Sequence, residues 1–176
     1  SVTDKADGVR MLMYIDVGGD VYYIDNRFHI RRKDLGKYYA PKDLYNTVID
    51  GEWVEHASDK TKLDKFYAFD IYFLGGKSVE DLQLAGKNGR YAKLTDVFKK
   101  LEGGLKSRGV DIQDHFWYKK FHFTTPSKSI MELSKACYHD TRPYNIDGLI
   151  FTPSYLPVGV DAPPKKGFKL DEAGPH

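Results

Sequence analysis

Two β-forming runs, Val9 to Asp16 and Val21 to Asp25, are separated only by Val17-Gly18-Gly19-Asp20. A gap that short admits an antiparallel hairpin and no crossover, so the chain has to begin as antiparallel sheet. Phe28 to Arg32 can add a third strand. Lys33 to Asp43 is charged and carries Gly36 and Pro41, which makes it a connection. Leu44 to Glu55 and Lys65 to Leu74 are the next strands, joined by the polar stretch His56 to Asp64. The aromatic content of 14%, with 13 Tyr and 10 Phe, favours strands throughout.

The second half mixes periods. Tyr91, Leu94, Phe98 and Leu101 recur at helical spacing, and Gly103-Gly104 is expected to end that helix. His115 to Phe123 alternates like a strand. Thr125-Pro126 has the form of a helix start, placing Ile130, Leu133 and Cys137 on the buried face. Asn145 to Thr152 is the last strand, and Pro, Gly and Lys dominate from Pro153 onward, as in a loop. The fold class is therefore α+β, with mostly antiparallel sheets and flanking helices.

With 176 residues the chain makes one domain or a piece of a larger one. A formal net charge of +2 gives no global basic excess, so any nucleic-acid surface must be local. The single cysteine, Cys137, excludes an internal disulfide, fits an intracellular setting and reads as a small buried thiol. No apolar run reaches membrane-spanning length and no signal peptide is visible. The opening Ser-Val-Thr-Asp-Lys, without initiator Met, is what a segment of a longer protein would show. The histidines (His29, His56, His115, His122, His139 and His176) include no pair at zinc-ligand spacing. Pro163-Pro164-Lys165-Lys166 reads as a solvated loop.

Four short motifs carry possible chemistry. Lys5-Ala6-Asp7-Gly8, followed by Arg10, joins a potential amine nucleophile to a glycine that lets backbone approach a phosphate. Such a string arises by accident in about one chain in twenty-five of this length, so alone it also fits a surface turn. Asp50-Gly51-Glu52 follows the apolar Val48-Ile49. Its carboxylates, placed at a strand end, can hold a ribose hydroxyl or a metal, or can simply decorate a hairpin turn. Phe66-Tyr67-Ala68-Phe69-Asp70 sets an acid inside an aromatic strand. That acid needs a partner, because unpaired burial is costly, and an aromatic there can stack on a base or pack in the core. Asp147-Gly148-Leu149-Ile150-Phe151 repeats the acid–glycine pair before an apolar strand, with oxygen ligands that suit Mg²⁺ or Mn²⁺.

Taken in order, these motifs resemble motifs I, III, IIIa and IV of the covalent nucleotidyltransferases, the superfamily of mRNA capping enzymes and ATP-dependent polynucleotide ligases. The resemblance runs from Asp4 to about Pro153. Motif IV in ligases usually carries Glu-Gly, whereas Asp147-Gly148-Leu149-Ile150 looks like the capping form, and the sequence looks closer to the enzymes of large DNA viruses and their relatives than to cellular ones. The resemblance implies the ATP-grasp-like nucleotidyltransferase fold over residues 1–176 and an mRNA guanylyltransferase. Lys5 would be the nucleophile, taking GMP from GTP and passing it to the 5′-diphosphate end of RNA. Asp7, Gly8, Arg10 and Arg27 would bind nucleotide, although Asn26 sets Arg27 one residue late. Glu52 would hold the ribose or a metal, Phe69 would stack on guanine, and Asp147 would bind Mg²⁺ or Mn²⁺. Lys119 would donate to the guanine carbonyl, with Lys120 as its neighbour in Tyr118-Lys119-Lys120-Phe121. Burial, bound metal and nearby Arg10 would help Lys5 shed its proton.

Motif V is the departure. Phe168-Lys169-Leu170 stands at a plausible distance, but Asp171 follows where a second lysine is expected. The expectation is a domain that starts at motif I and stops before motif V and an oligonucleotide-binding-fold domain. Other capping domains, an RNA triphosphatase and a methyltransferase, would be partners. The location would be intracellular: nucleus if cellular, cytoplasm, viral factory or virion if viral. The alternatives are an ATP-dependent RNA or DNA ligase and a non-catalytic nucleotide-binding fragment.

Overall fold

The computed structural model describes residues 1–36 and 38–159. The strands are β1 (Val2–Ala6), β2 (Val9–Ile15), β3 (Val21–Asp25), β4 (Ile30–Arg32), β5 (Thr47–His56), β6 (Lys62–Leu74), β7 (Lys77–Ser78), β8 (Phe116–Tyr118) and β9 (Ile146–Phe151). Among the described residues the α-helices are α1 (Arg90–Lys106) and α2 (Ile130–His139).

A seven-stranded sheet runs in the order β4-β3-β2-β5-β6-β7, with β8 paired to β6. All its pairings are antiparallel except β6 with β8. The parallel pair follows from the connection: α1 carries the chain back across the sheet before β8 begins, which a hairpin cannot do. A separate two-stranded sheet pairs β1 with β9.

Strand alternation sorts the side chains of the large sheet onto two faces. One face (Met11, Met13, Ile15, Tyr23, Ile49, Phe66 and Ile71) packs against Leu94, Val97, Phe98, Leu101 and Leu105 of α1. On the other face, Val54 and Tyr67 meet Ala6 and Tyr144, joining the large sheet to the small one. Leu133 and Cys137 of α2 then close over Val2. The layers therefore run α1, large sheet, small sheet, α2, and the candidate site lies between the two sheets.

Several local expectations need correction. The helix starting near Tyr91 does not stop at Gly103-Gly104 but continues to Lys106. Gly104 is there for packing, since a Cβ at that position would fall 2.7 Å from the Tyr38 ring. Thr125-Pro126 does not cap α2. Ser129 does, in a reciprocal capping box with Glu132, while Thr125 and Lys128 close a turn of their own. The strand expected over His115 to Phe123 is regular only at Phe116–Tyr118, after which the chain leaves β6 and His122 bridges to Val2. Asp50-Gly51-Glu52 lies in the middle of β5, not at its end. Lys5-Ala6 belongs to a strand, and only Asp7-Gly8 forms the bend after it.

Candidate functional site: a lysine and an acid across two paired sheets

Lys5 sits near the end of β1, paired in register with Gly148 of β9. The next pair is Ala6 with Ile146, which leaves Asp147 as the extra residue of a β-bulge. Gly148, at φ 144°, supplies a backbone conformation that side chains disfavour. Bulges re-aim side chains, and here Asp147 is turned so that its Oδ2 lies 3.2 Å from Lys5 Nζ. Both side chains are about half exposed, at 52% and 53%. The burial expected around Lys5 is therefore not found.

Phe69 and Tyr72 come from the same device. β5 and β6 pair Gly51 with Ala68 but Asp50 with Asp70, so Phe69 is extra. They pair Ile49 with Ile71 but Val48 with Phe73, so Tyr72 is extra. Phe69 is half-buried and lines a cavity of about 150 Å³ with Thr3, Asp70, Leu84, Lys119, Phe121 and Ile150. Phe66 and Ala68 of the same motif are core. Asp70 finds the partner its setting demands: Arg90, almost wholly buried, donates Nε to Oδ1 at 2.8 Å and Nη2 to Oδ2 at 3.0 Å.

Lys119 is buried at the junction of the sheets. Its Nζ donates to Glu52 Oε2 at 2.6 Å and to the Asp4 carbonyl at 3.2 Å, and lies 3.4 Å from Asp4 Oδ1. It also stands 5.8 Å from the centre of the Phe69 ring. Asp4 further accepts from the Tyr144 hydroxyl at 3.3 Å and has Arg142 Nε 3.8 Å away. Burial, with the Asp4 charge behind it, pushes the Tyr144 phenol well above its ordinary range. Asp4 was missed by the motif reading. The signal available was an acid beside a potential nucleophile in a strand whose alternation buries it. Lys120 points elsewhere and pairs with Asp140 at 2.9 Å.

Arg10 projects from β2 beside Glu52, its register partner. Its guanidinium grips the fully buried Asp50 through two bonds, Nε to Oδ1 at 3.1 Å and Nη2 to Oδ2 at 2.6 Å. The Tyr72 hydroxyl donates to the same carboxylate. That bonding holds Arg10 still more firmly protonated than usual, and burial raises the Tyr72 phenol. Gly8 approaches protein backbone: a Cβ there would lie 2.6 Å from the Trp53 carbonyl oxygen. Asp7 and Gly8 line a separate cavity of about 410 Å³ with Trp53, His56, Lys60 and Asn145. Arg27 is exposed in the turn after β3, where its N–H donates to Asp25 at 2.8 Å. Among the described residues no side-chain hydrogen bond or ion pair joins it to Lys5, whose ammonium pairs with Asp147.

The residues thus fall into linked groups. Lys5 and Asp147 face solvent at the small sheet; Glu52, Lys119 and Asp4 bind the two sheets together; Phe69 lines the cavity beside them. The Asp147 carboxylate, exposed and an oxygen donor, fits Mg²⁺ or Mn²⁺. Glu52 does not fit a metal equally well in this arrangement, because one carboxylate oxygen is committed to Lys119. Phe168-Lys169-Leu170 and Pro163 to Lys166 lie outside the described residues.

Comparison with known proteins agrees with the capping-enzyme resemblance. The family model described as mRNA capping enzyme, catalytic domain, matches residues 1–169. The mRNA-capping enzyme subunit alpha of Candida glabrata is 29% identical over 177 aligned positions, covering 90% of this chain. The chain spans 38% of that protein's length. This relative is fungal, and nothing in it supports the viral affinity expected from the sequence. A match over nearly the whole chain, enclosing Lys5 and Asp147 alike, means that the chain belongs to the mRNA capping enzyme catalytic-domain family.

Proposed function

We propose that the chain is the guanylyl-transferring domain of an mRNA capping enzyme, with Lys5 as nucleophile. The observation that carries this reading is the pairing of Lys5 with Asp147 at 3.2 Å within the region matched by the family. Lys5 gives up its ammonium proton to solvent and Nζ attacks the α-phosphorus of GTP in line; the bond to the bridging oxygen breaks, pyrophosphate leaves, and the nitrogen now bonded to phosphorus sheds a second proton to solvent. A 5′-diphosphate oxygen of RNA then attacks the same phosphorus, the phosphorus–nitrogen bond breaks, and Lys5 leaves as an amine with a proton taken from solvent. Phe69 stacks on guanine, and Glu52 and Arg10 orient the nucleotide from adjacent positions on β5 and β2. Asp147 would hold Mg²⁺ or Mn²⁺ together with substrate phosphates and water, and the ion supplies charge neutralisation for the departing pyrophosphate. By taking up the Asp147 carboxylate, it would also compete with the Lys5 ion pair.

Membership in the capping family favours GTP over the ATP of ligases. The relative is named as a subunit, and we extend that to this chain. An RNA triphosphatase, on a partner or a further domain, prepares the diphosphate end, and a methyltransferase acts on the cap. A lysine-bearing motif V and an oligonucleotide-binding-fold domain would complete the enzyme, which would work inside the cell where transcripts emerge.

The test is a polypeptide extended through the next lysine motif, incubated with α-labelled GTP or ATP and divalent metal, then run on a denaturing gel. GTP label should stay on the protein and vanish in Lys5→Ala. Lys5→Arg should fail as well, because guanidinium keeps its proton. Label from ATP alone, or label on Lys5→Ala, overturns the assignment.

A further inference from the structure

On the α2 side of β1, away from the Lys5 site, three donor groups of different chemistry converge. His122 Nε2 lies 2.6 Å from Asp140 Oδ2. Cys137 Sγ completes the group, and all its donor atoms fall within 4.8 Å of one another. No reading of histidine spacing could find this, because only one histidine takes part and its companions come from α2 and its C-terminal end. Each residue is fixed by backbone. His122 and Val2 exchange N–H···O bonds of 2.9 Å in both directions. Cys137 lies in the last turn of α2, buried with Val2 and Leu133. The Asp140 N–H donates to the Cys137 carbonyl at 3.2 Å.

Asp140 accepts from both Lys120 and His122, and this ion-pair group needs no further ligand. But Lys120 occupies Oδ1, at 2.9 Å, and leaves Oδ2 to the imidazole, with the thiol sulfur within 4.8 Å of the other two donor atoms. One imidazole nitrogen, one thiolate sulfur and one carboxylate oxygen form a donor set suited to zinc, with a fourth position for water. Zinc bonds of about 2.0–2.3 Å in a tetrahedron set donors roughly 3.3–3.8 Å apart. The His122–Asp140 contact must open, and the sulfur must close in, by on the order of 1 Å each, a shift side chains can make.

We propose that His122, Cys137 and Asp140 form a zinc site that fastens the C-terminal end of α2 to β1. On binding, the Cys137 S–H bond breaks, its proton goes to solvent and a sulfur–zinc bond forms. The site is chemically distinct from Asp147, which offers oxygen alone and suits harder ions. Its effect on function is indirect: Val2 is held by the same ligand-bearing segment, and Lys5 follows three residues later on the same strand.

Cobalt(II) tests this directly. Added to the metal-stripped polypeptide, it should give one equivalent of tetrahedral cobalt with a sulfur-to-metal charge-transfer band, and zinc should erase that band. Cys137→Ser should lose the band, and His122→Gln should lose tight binding, both with unchanged far-ultraviolet circular dichroism. Should Cys137→Ser not fold, Asp140→Asn serves, since it keeps the core thiol and should lose the tetrahedral signature. Asp147→Ala should retain the band in full. Zinc should also raise the melting temperature of the wild type but not of His122→Gln. Absence of the band in the wild type, its survival in both His122→Gln and Asp140→Asn, or its loss in Asp147→Ala overturns the proposal.

Discussion

Lys5 and Asp147 face each other across a β-bulge, Nζ 3.2 Å from Oδ2, and neither is buried. An exposed ion pair contributes at most about 1 kcal/mol to stability. A variant that removes Asp147 should therefore stay folded, and any loss of activity can be read as lost chemistry.

For Asp147→Ala we expect an unfolding midpoint within about 1 kcal/mol of wild type and no covalent guanylylation with Mg²⁺ or Mn²⁺. Denaturant titration and gel labelling check the two halves. Normal labelling would remove Asp147 from the metal site.

Lys119 has two jobs to separate. Lys119→Ala leaves Glu52 without its ammonium partner and Asp4 with only the more distant Arg142, which should cost about 3–5 kcal/mol in urea unfolding. If Lys119 also donates to guanine, the variant loses GTP preference over ATP, by roughly ten- to a hundredfold in affinity for a bond of about 1.5–3 kcal/mol. Nucleotide titration below the unfolding midpoint measures this. An undiminished preference would confine Lys119 to joining the sheets.

Arg90 and Asp70 form a buried two-bond pair between α1 and β6. Arg90→Leu should destabilise by about 3–5 kcal/mol, because it leaves the Asp70 charge stranded. The double variant Arg90→Leu/Asp70→Asn should recover part of that loss. Additive effects in a double-mutant cycle would contradict the pairing.

Gly8 packs on the Trp53 carbonyl. Gly8→Ala should lower stability by about 1–3 kcal/mol with no nucleotide present. A thermal melt without GTP decides. An unchanged melt would mean that the glycine is needed only for phosphate approach.

His115 bears on acid sensitivity. Burial, aided by the Lys33 ammonium, lowers its imidazole below the ordinary 6.5. As pH falls through 6.5, the unfolded chain takes up a proton that the folded chain refuses, so stability declines from there toward the lower folded value. Well above 6.5 the group contributes no slope. His115→Gln should flatten the wild-type decline between neutrality and pH 5 in urea midpoints. Parallel curves would assign the slope to other groups.

The order of motifs and most strands were legible because both are local. Val21 to Asp25 and the acid–glycine strand at Asp147 are written in consecutive residues. The aim of Phe69, Tyr72 and Asp147 was not legible, since a bulge is an event between two strands and appears only when registers are compared. Asp70 announced that it needed a partner but could not name Arg90, twenty residues away. The start of α2 was readable: Ser129 and Glu132 stand three apart, and that reciprocal cap outranks Thr125-Pro126. The Lys119–Glu52–Asp4 junction unites three strand regions and leaves no pattern in any one of them.

The middle of β5 also bears on how such a chain can change over generations. A Cβ on Gly51 would land 2.2 Å from Cζ of Phe66 on the neighbouring strand, so the ring occupies the volume a side chain would need. Positions 51 and 66 are a lock of complementary sizes. Drift at either alone meets a collision or leaves a void, and an alanine at 51 can persist only in a lineage that has already given up the ring at 66. The glycine between Asp50 and Glu52 should therefore vary in step with a residue in the core, for reasons that have nothing to do with the nucleotide.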